Sequence, residues 1–226
     1  MQPSTKQIAA AKAVVFALAL VPAGWLATGA LFFPGWLTAN PGEFIDRETG
    51  RWTLRFLLIT LAVTPLRMLT GWNWLLRFRR MLGLFAFFYG VMHLSSYVSF
   101  RRVFDVDEIV RDLAERPFMT AGFAALMLMV PLAVTSTNAM VRRLGAKRWQ
   151  LLHRLIYVVA PLGALHYWFM VKRDITQPAI YAAILVLLLG YRVVASLRAA
   201  RRAPPARALA ARGAQLRAGL GDHGGT

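Results

Sequence analysis

The 226-residue chain contains no cysteine. That absence excludes a disulfide framework, Cys-ligated zinc, an iron–sulfur centre, a C-x-x-C redox pair and thioether attachment of haem through C-x-x-C-H. Acidic residues are scarce, with 10 Asp+Glu against 27 Lys+Arg, and only four histidines are present. Any metal must therefore be held by histidine, a few carboxylates or methionine sulfur. A formal net charge of +17 points first to nucleic acid or another polyanion, but the chain is only 16% charged and 58% hydrophobic. A soluble domain averages about 45–50% apolar and about 25% charged residues, and one core of this size cannot bury so large an apolar excess. The composition indicates a membrane protein, with lipid rather than nucleic acid as its surroundings.

Six segments are apolar and about 20 residues long, enough to cross a hydrocarbon core of about 30 Å as helices. They run over residues 14–33, 52–70, 81–100, 117–135, 149–170 and 178–197. The expected fold class is an all-α, six-helix membrane bundle over 14–197, between a short N-terminus at 1–13 and a basic tail at 198–226. Lys6 and Lys12 precede the first apolar run as in a secretory signal. That run is too long for one, and five more follow it.

Loop charge sets the orientation, because Lys and Arg near helix ends stay cytoplasmic. The N-terminus, second loop, fourth loop and tail carry 17 of the 27 cations, among them Arg67, Arg77, Arg79, Arg80, Arg142, Arg143, Lys147 and Arg148. The opposite loops hold eight, together with nine of the 10 acids, from Glu43 to Asp174. Both termini are expected in the cytoplasm. Trp36, Trp52 and Trp168 fall at outer boundaries and Trp72, Trp74 and Trp149 at inner ones, where indoles favour the headgroup level; Trp25 alone lies well inside a span.

Between the third and fourth spans, residues 103–116 carry Val103, Val106, Ile109, Val110 and Leu113 at near-helical spacing. This pattern suits a short amphipathic helix on the outer surface, a lid or docking element for a periplasmic partner, or a solvated connector. The tail, rich in Ala, Arg, Gly and Pro, is expected to be disordered, with its arginines near anionic lipid. The roughly 29 residues after Leu197 are too few for a nucleotide- or flavin-binding domain.

Ionisable groups inside a span are costly and are functional candidates. His93 lies on the third span and His153 and His166 on the fifth, while His223 lies in the tail. The third and fifth spans run in the same direction. His93 and His166 both fall roughly 9–12 Å below the outer boundary. Two imidazoles at one level suit axial ligation of a haem iron on both faces, which leaves no open position and favours electron transfer. His153 lies about 20 Å further in and is rotated about 220° from His166 on an ideal helix, with Pro161 and Gly163 between them. It suits a second, inner centre. Arg79, Arg80 and Arg154 beside it could neutralise propionates or hold a flavin phosphate or a quinone oxygen, and Arg55 is a propionate candidate for the outer haem. Gly83 and Gly90 could admit a flat ring or close helix packing. Against these stand ordinary roles: interhelical hydrogen bonding for the histidines, snorkelling for Arg55 and topology alone for the inner arginines. At this level a proton- or ion-coupled transporter using the histidines as relays, and a cofactor-free scaffold, also remain open.

Three runs, RETGRWTLRFLLITLAVTPLR (47–67), RRMLGLFAFFYGVMHLSSYV (79–98) and LGAKRWQLLHRLIYVVAPLGALHYWFMVK (144–172), closely resemble the MsrQ (YedZ) family. These are haem-binding membrane subunits of periplasmic methionine sulfoxide reductase systems, similar in turn to the membrane domain of ferric reductases and NADPH oxidases. The resemblance spans about residues 10–198. Its most specific part is the R-W-x-x-L-H-R-L-x-Y stretch with the paired histidines of the fifth span. It implies a b-type cytochrome of the inner membrane with one or two haems b and with FMN. Such a subunit carries electrons from the quinone pool or a cytosolic flavin reductase to a periplasmic molybdopterin-containing catalytic subunit. That role is electron transfer rather than the catalytic reaction itself, and it serves repair of oxidised periplasmic proteins. His93, His153 and His166 match the family's histidines. The oxidases carry a further histidine on the third span, 14 residues before the position of His93, where this chain has Arg79.

Overall fold

A computed structural model describes residues 3–202 of the chain. His223, Asp222 and most of the tail expected to be disordered lie outside the described residues. Within them the chain is helical, without a strand. The long helices are α1 (Thr5–Leu31), α2 (Pro41–Thr70) and α3 (Leu76–Ser96), the last prolonged by a π-helical turn at Tyr97–Arg101. A short helix α4 (Val106–Glu115) leads into α5 (Pro117–Val134). Then come α6 (Asn138–Leu144), α7 (Ala146–Leu152), a 3₁₀ turn at His153–Leu155, α8 (Ile156–Met170) and α9 (Thr176–Arg202). The chain divides into two compact units at Leu189 and Gly190, the described part of the second being the C-terminal stretch of α9.

Local sequence explains where these helices start and stop. Ser4 and Gln7 form a reciprocal capping box on α1, with bonds of 3.2 and 2.7 Å. Asn40 caps α2 at the Glu43 amide, 3.1 Å away, with Pro41 at the first position. That helix ends on Gly71 in the left-handed region at φ 74°. Asp105 caps α4 at the Glu108 amide, at 3.0 Å. The amphipathic segment 103–116 is thus helical over Val106–Glu115.

Five helices, α1, α2, α3 with its extension, α5 and α9, are long and apolar enough to cross a membrane. The fifth predicted segment, 149–170, is instead broken. Trp149 Nε1 donates to the Thr135 carbonyl at 2.9 Å, and His153 Nε2 lies 3.2 Å from the Thr135 hydroxyl. Both side chains thus tie the turn to the end of α5. The 15 residues of α8 rise only about 22 Å.

The core of the first unit lies where α2 meets α3 and α5 meets α8. Leu57, Leu61, Ala86, Tyr89, Val159 and Ala160 are fully buried there, and the small residues Ala86 and Ala160 let helices approach closely. Phe56 stacks on both Tyr89 and Phe85 with centroids 5.4 and 5.6 Å apart, joining α2 to α3. Outward positions such as Leu18, Val21, Val186 and Leu187 are exposed, as expected of a surface solvated by lipid.

Tyr89 also secures α1. Pro22 lacks an N–H and its ring crowds the preceding turn, which opens the helix ladder. The Tyr89 hydroxyl enters that opening, donating to the Ala19 carbonyl at 2.7 Å and accepting from the Ala23 amide at 3.1 Å. Tyr89→Phe would leave both buried groups unpaired, and should lower unfolding stability in detergent by about 1–3 kcal/mol. A denaturant or thermal melt of the purified variant checks this.

Candidate functional site

A cavity of about 1060 Å³ opens at one end of the bundle, lined from α2, α3, α4, α5 and α8. This is the upper end of the range for small-molecule and cofactor sites. Leu54, Leu57, Leu126 and Met129 form apolar wall, and the rim carries Arg47, Arg51, Arg101, Arg102, Arg116, Lys172 and Arg173. His93 and His166 face each other across it, with ring centroids 6.0 Å apart and planes at 69°.

The two histidines are held by the same device. Nδ1 of His93 lies 2.8 Å from the Asp46 carbonyl, and Nδ1 of His166 lies 2.7 Å from the Phe118 carbonyl. A carbonyl only accepts, so each neutral ring carries its proton on Nδ1 and a lone pair on Nε2. Four residues after each carbonyl stands a glycine, Gly50 and Gly122. A helical side chain covers the turn N-terminal to its own Cα, so a side chain at i+4 would screen the carbonyl at i. A Cβ on Gly50 would meet the His93 ring at 3.1 Å, and one on Gly122 would meet Nδ1 of His166 at 2.6 Å. Helix α2 thereby positions the histidine of α3, and α5 that of α8.

This donor set fits a haem. The 6.0 Å between ring centres is close to what two metal–nitrogen bonds of about 2 Å would span, with the distance from each nitrogen to its ring centre added. Among the described residues no three His, Asp or Glu side chains converge on a metal site. A porphyrin's four nitrogens would supply the other coordination positions of an ion between these imidazoles. The apolar wall suits the macrocycle and the cationic rim its propionates. Lys172 and Arg173 are exposed and form no ion pair among the described residues.

Other predicted residues lie elsewhere. Arg55 does not line the cavity: Nε donates to the Tyr181 hydroxyl at 2.9 Å and the guanidinium lies 4.6 Å over Trp52. His153 stacks on Trp149, centroids 3.9 Å apart, away from the cavity. Thr135 commits its hydroxyl proton to the Pro131 carbonyl at 2.6 Å, so His153 Nε2 is the donor in its contact with Thr135. Arg79 and Arg80 lie on α3, where Arg80 donates to Asn138 at 2.6 Å and its guanidinium lies 6.0 Å over the Trp149 ring; Arg154 is exposed. Gly90 lines the cavity, whereas a Cβ on Gly83 would meet only Thr60 of α2, at 3.8 Å. Residue patterning did not single out Gly50, Gly122, Asp46 or the Phe118 carbonyl. The available signal was a glycine one turn beyond a carbonyl on the helix facing each histidine.

Helix α4 closes over this end with Ile109, Asp112 and Leu113 turned to the cavity. Asp112 is only 5% exposed and accepts from Tyr97, from Arg102 Nε at 2.7 Å and from Arg116, whose Nε is 3.2 Å away. Burial pushes its carboxyl up, but the hydrogen bonds from Tyr97 and Arg102 and the charges of Arg102 and Arg116 prevail and hold it below the usual carboxylate range. A depressed carboxylate stabilises at all pH above its unfolded value of about 3.9, and that contribution is lost as pH falls through the folded value. The α4 contact should therefore hold through neutral and mildly acidic pH. Asp112→Asn should raise amide exchange across α4 at least tenfold at pH 7, measured by mass spectrometry and corrected for intrinsic rates. Wild type should match it only below about pH 4.

Residues 49–164 match the family described as the ferric reductase like transmembrane component. The chain is 55% identical over 193 residues to the protein-methionine-sulfoxide reductase heme-binding subunit MsrQ of Herminiimonas arsenicoxydans, covering 84% of this chain and 88% of the relative. The MsrQ of Azospira oryzae is 51% identical over 211 residues, 91% of this chain and 90% of its own. That of Rhodospirillum rubrum is 54% identical over 192 residues, 84% and 91% respectively. With its five long apolar helices it is a multi-pass membrane protein, and the chain belongs to the MsrQ family within the ferric reductase-like transmembrane proteins.

Proposed function

We propose that this protein is a b-type cytochrome subunit of the bacterial inner membrane. It passes electrons from the quinone pool or a cytosolic flavin reductase to a periplasmic molybdopterin-containing methionine sulfoxide reductase, for repair of oxidised periplasmic proteins. One observation carries the proposal: His93 and His166 are both locked with Nδ1 on a main-chain carbonyl and Nε2 free, across one cavity. The relatives' name, a heme-binding subunit of protein-methionine-sulfoxide reductase, agrees with it. A haem held by these two histidines would supply reversible one-electron transfer.

The protein's part is binding and orientation. His93 and His166 would hold the metal, Gly50 and Gly122 let the rings lie against the neighbouring helices, and Leu54, Leu57, Leu126 and Met129 would exclude water. The rim cations, foremost Lys172 and Arg173, neutralise propionates. The His153 region, with Trp149, Arg79, Arg80 and Arg154, is the inner acceptor site for FMN, quinone or a second haem. Six crossings with both termini cytoplasmic complete the reading. The broken α7–α8 segment makes the fifth, supported by the packing of α8 on α2 and α5 and by the loop charge asymmetry. A proton relay fits this geometry less well, since both Nδ1 protons are tied to fixed backbone acceptors.

Purified protein should show reduced-minus-oxidised bands of a b-type cytochrome; a colourless preparation of folded protein overturns the proposal. His93→Ala and His166→Ala should each abolish the cavity haem, whereas His153→Ala should leave its spectrum in place. A reporter fused to the C-terminus should read cytoplasmic.

A further inference from the structure

The two histidines are not equivalent. Among the described residues Nδ1 of His166 meets a backbone carbonyl and no carboxylate, whereas Nδ1 of His93 also lies 3.1 Å from Oδ1 of Asp46. Asp46 is 3% exposed, although it lies inside the first turns of a helix whose other acids, Glu43 and Glu48, pair with arginines of the same helix. Its Oδ1 accepts from Ser96 at 3.2 Å, and Oδ2 is 3.8 Å from Arg101 Nε. A buried carboxylate without a close bidentate cation is expensive. Capping does not account for it, because Asn40 caps α2. Nor is it needed to fix the ring's tautomer, because its own carbonyl does that and a carbonyl alone suffices for His166.

We infer that Asp46 is a positioning residue that sets the reduction potential of the cavity centre through His93. This rests on the proposed ligation of a haem by His93 and His166. A carboxylate on the Nδ1–H makes the imidazole a stronger donor to the metal, and its charge favours the more positive, oxidised iron. Reduction of that iron takes up one electron and breaks no bond, so the effect appears as a displaced midpoint. Ser96 moderates it by taking a share of the same carboxylate oxygen. The asymmetry would make the imidazole on α3 the more electron-rich of the two donors.

Potentiometric titration of the visible spectrum tests this. Asp46→Asn should keep the b-type bands and favour the reduced form at least tenfold at equilibrium, an upward shift of about 59 mV for a one-electron couple. Ser96→Ala, which leaves Oδ1 to His93 alone, should shift the midpoint downward. It provides the test if Asp46→Asn does not assemble. A midpoint unmoved or lowered in Asp46→Asn, or raised in Ser96→Ala, overturns the inference. Absence of any haem couple in the wild type would instead overturn the ligation on which it rests.

Discussion

Two main-chain carbonyls, of Asp46 and Phe118, govern the site. Each is already part of a helix, so what it offers a histidine is its second lone pair, reachable only where no side chain covers it. Gly50 and Gly122, one turn on, provide that access. Everything chemical about the cavity follows from this contact. It selects the tautomer, aims Nε2 inward and sets two imidazoles 6.0 Å apart on helices that do not carry the groups orienting them. The same contact makes α2–α3 and α5–α8 the natural pairs of the bundle, and these are the pairs that share the main core.

Around that pair the polar groups concentrate at one end. Asp46, Ser96 and Arg101 surround His93, while Asp112, Tyr97, Arg102 and Arg116 fasten α4 over the opening. The π-helical turn at Tyr97–Arg101 supplies two members of these networks, Tyr97 and Arg101, and Ser96 and Arg102 flank it. Val103 and Phe104, with φ of 48° and 63°, then turn the chain into α4. Non-glycine residues seldom adopt that region, and a β-branched one pays most, so the link is strained where the lid begins. Networks of this kind are costly when half satisfied and rigid when complete. They give a cavity in lipid a defined mouth.

Much of this was legible from composition. Hydropathy places six spans, five of which correspond to long unbroken helices, and the near-helical spacing in 103–116 corresponds to α4. The matched depth of His93 and His166 anticipated their meeting, because two parallel helices of similar tilt bring equal depths together. The fifth span was less legible: the side chains that tie it down, Trp149 and His153, act on a residue 14 to 18 positions away. Depth in the span makes Arg55 a propionate candidate, whereas its azimuth on α2 turns it to Tyr181 and Glu48. In the sequence the rim arginines and Lys172 are topology signals, since a sequence shows their sign and not the opening they encircle.

By itself the sequence determined that the chain is a membrane protein, the approximate extent of its helices and the identity of the residues able to ligate a metal. Those properties depend on transfer free energy and side-chain chemistry, which are local. Only the tertiary structure decided which histidines face each other, which ring nitrogen is free, which cations ring the cavity and that one histidine of the pair carries a buried carboxylate. Each of these depends on helix rotation, and rotation is set by side chains fitting against partners distant in sequence, here a carbonyl and a glycine on the neighbouring helix.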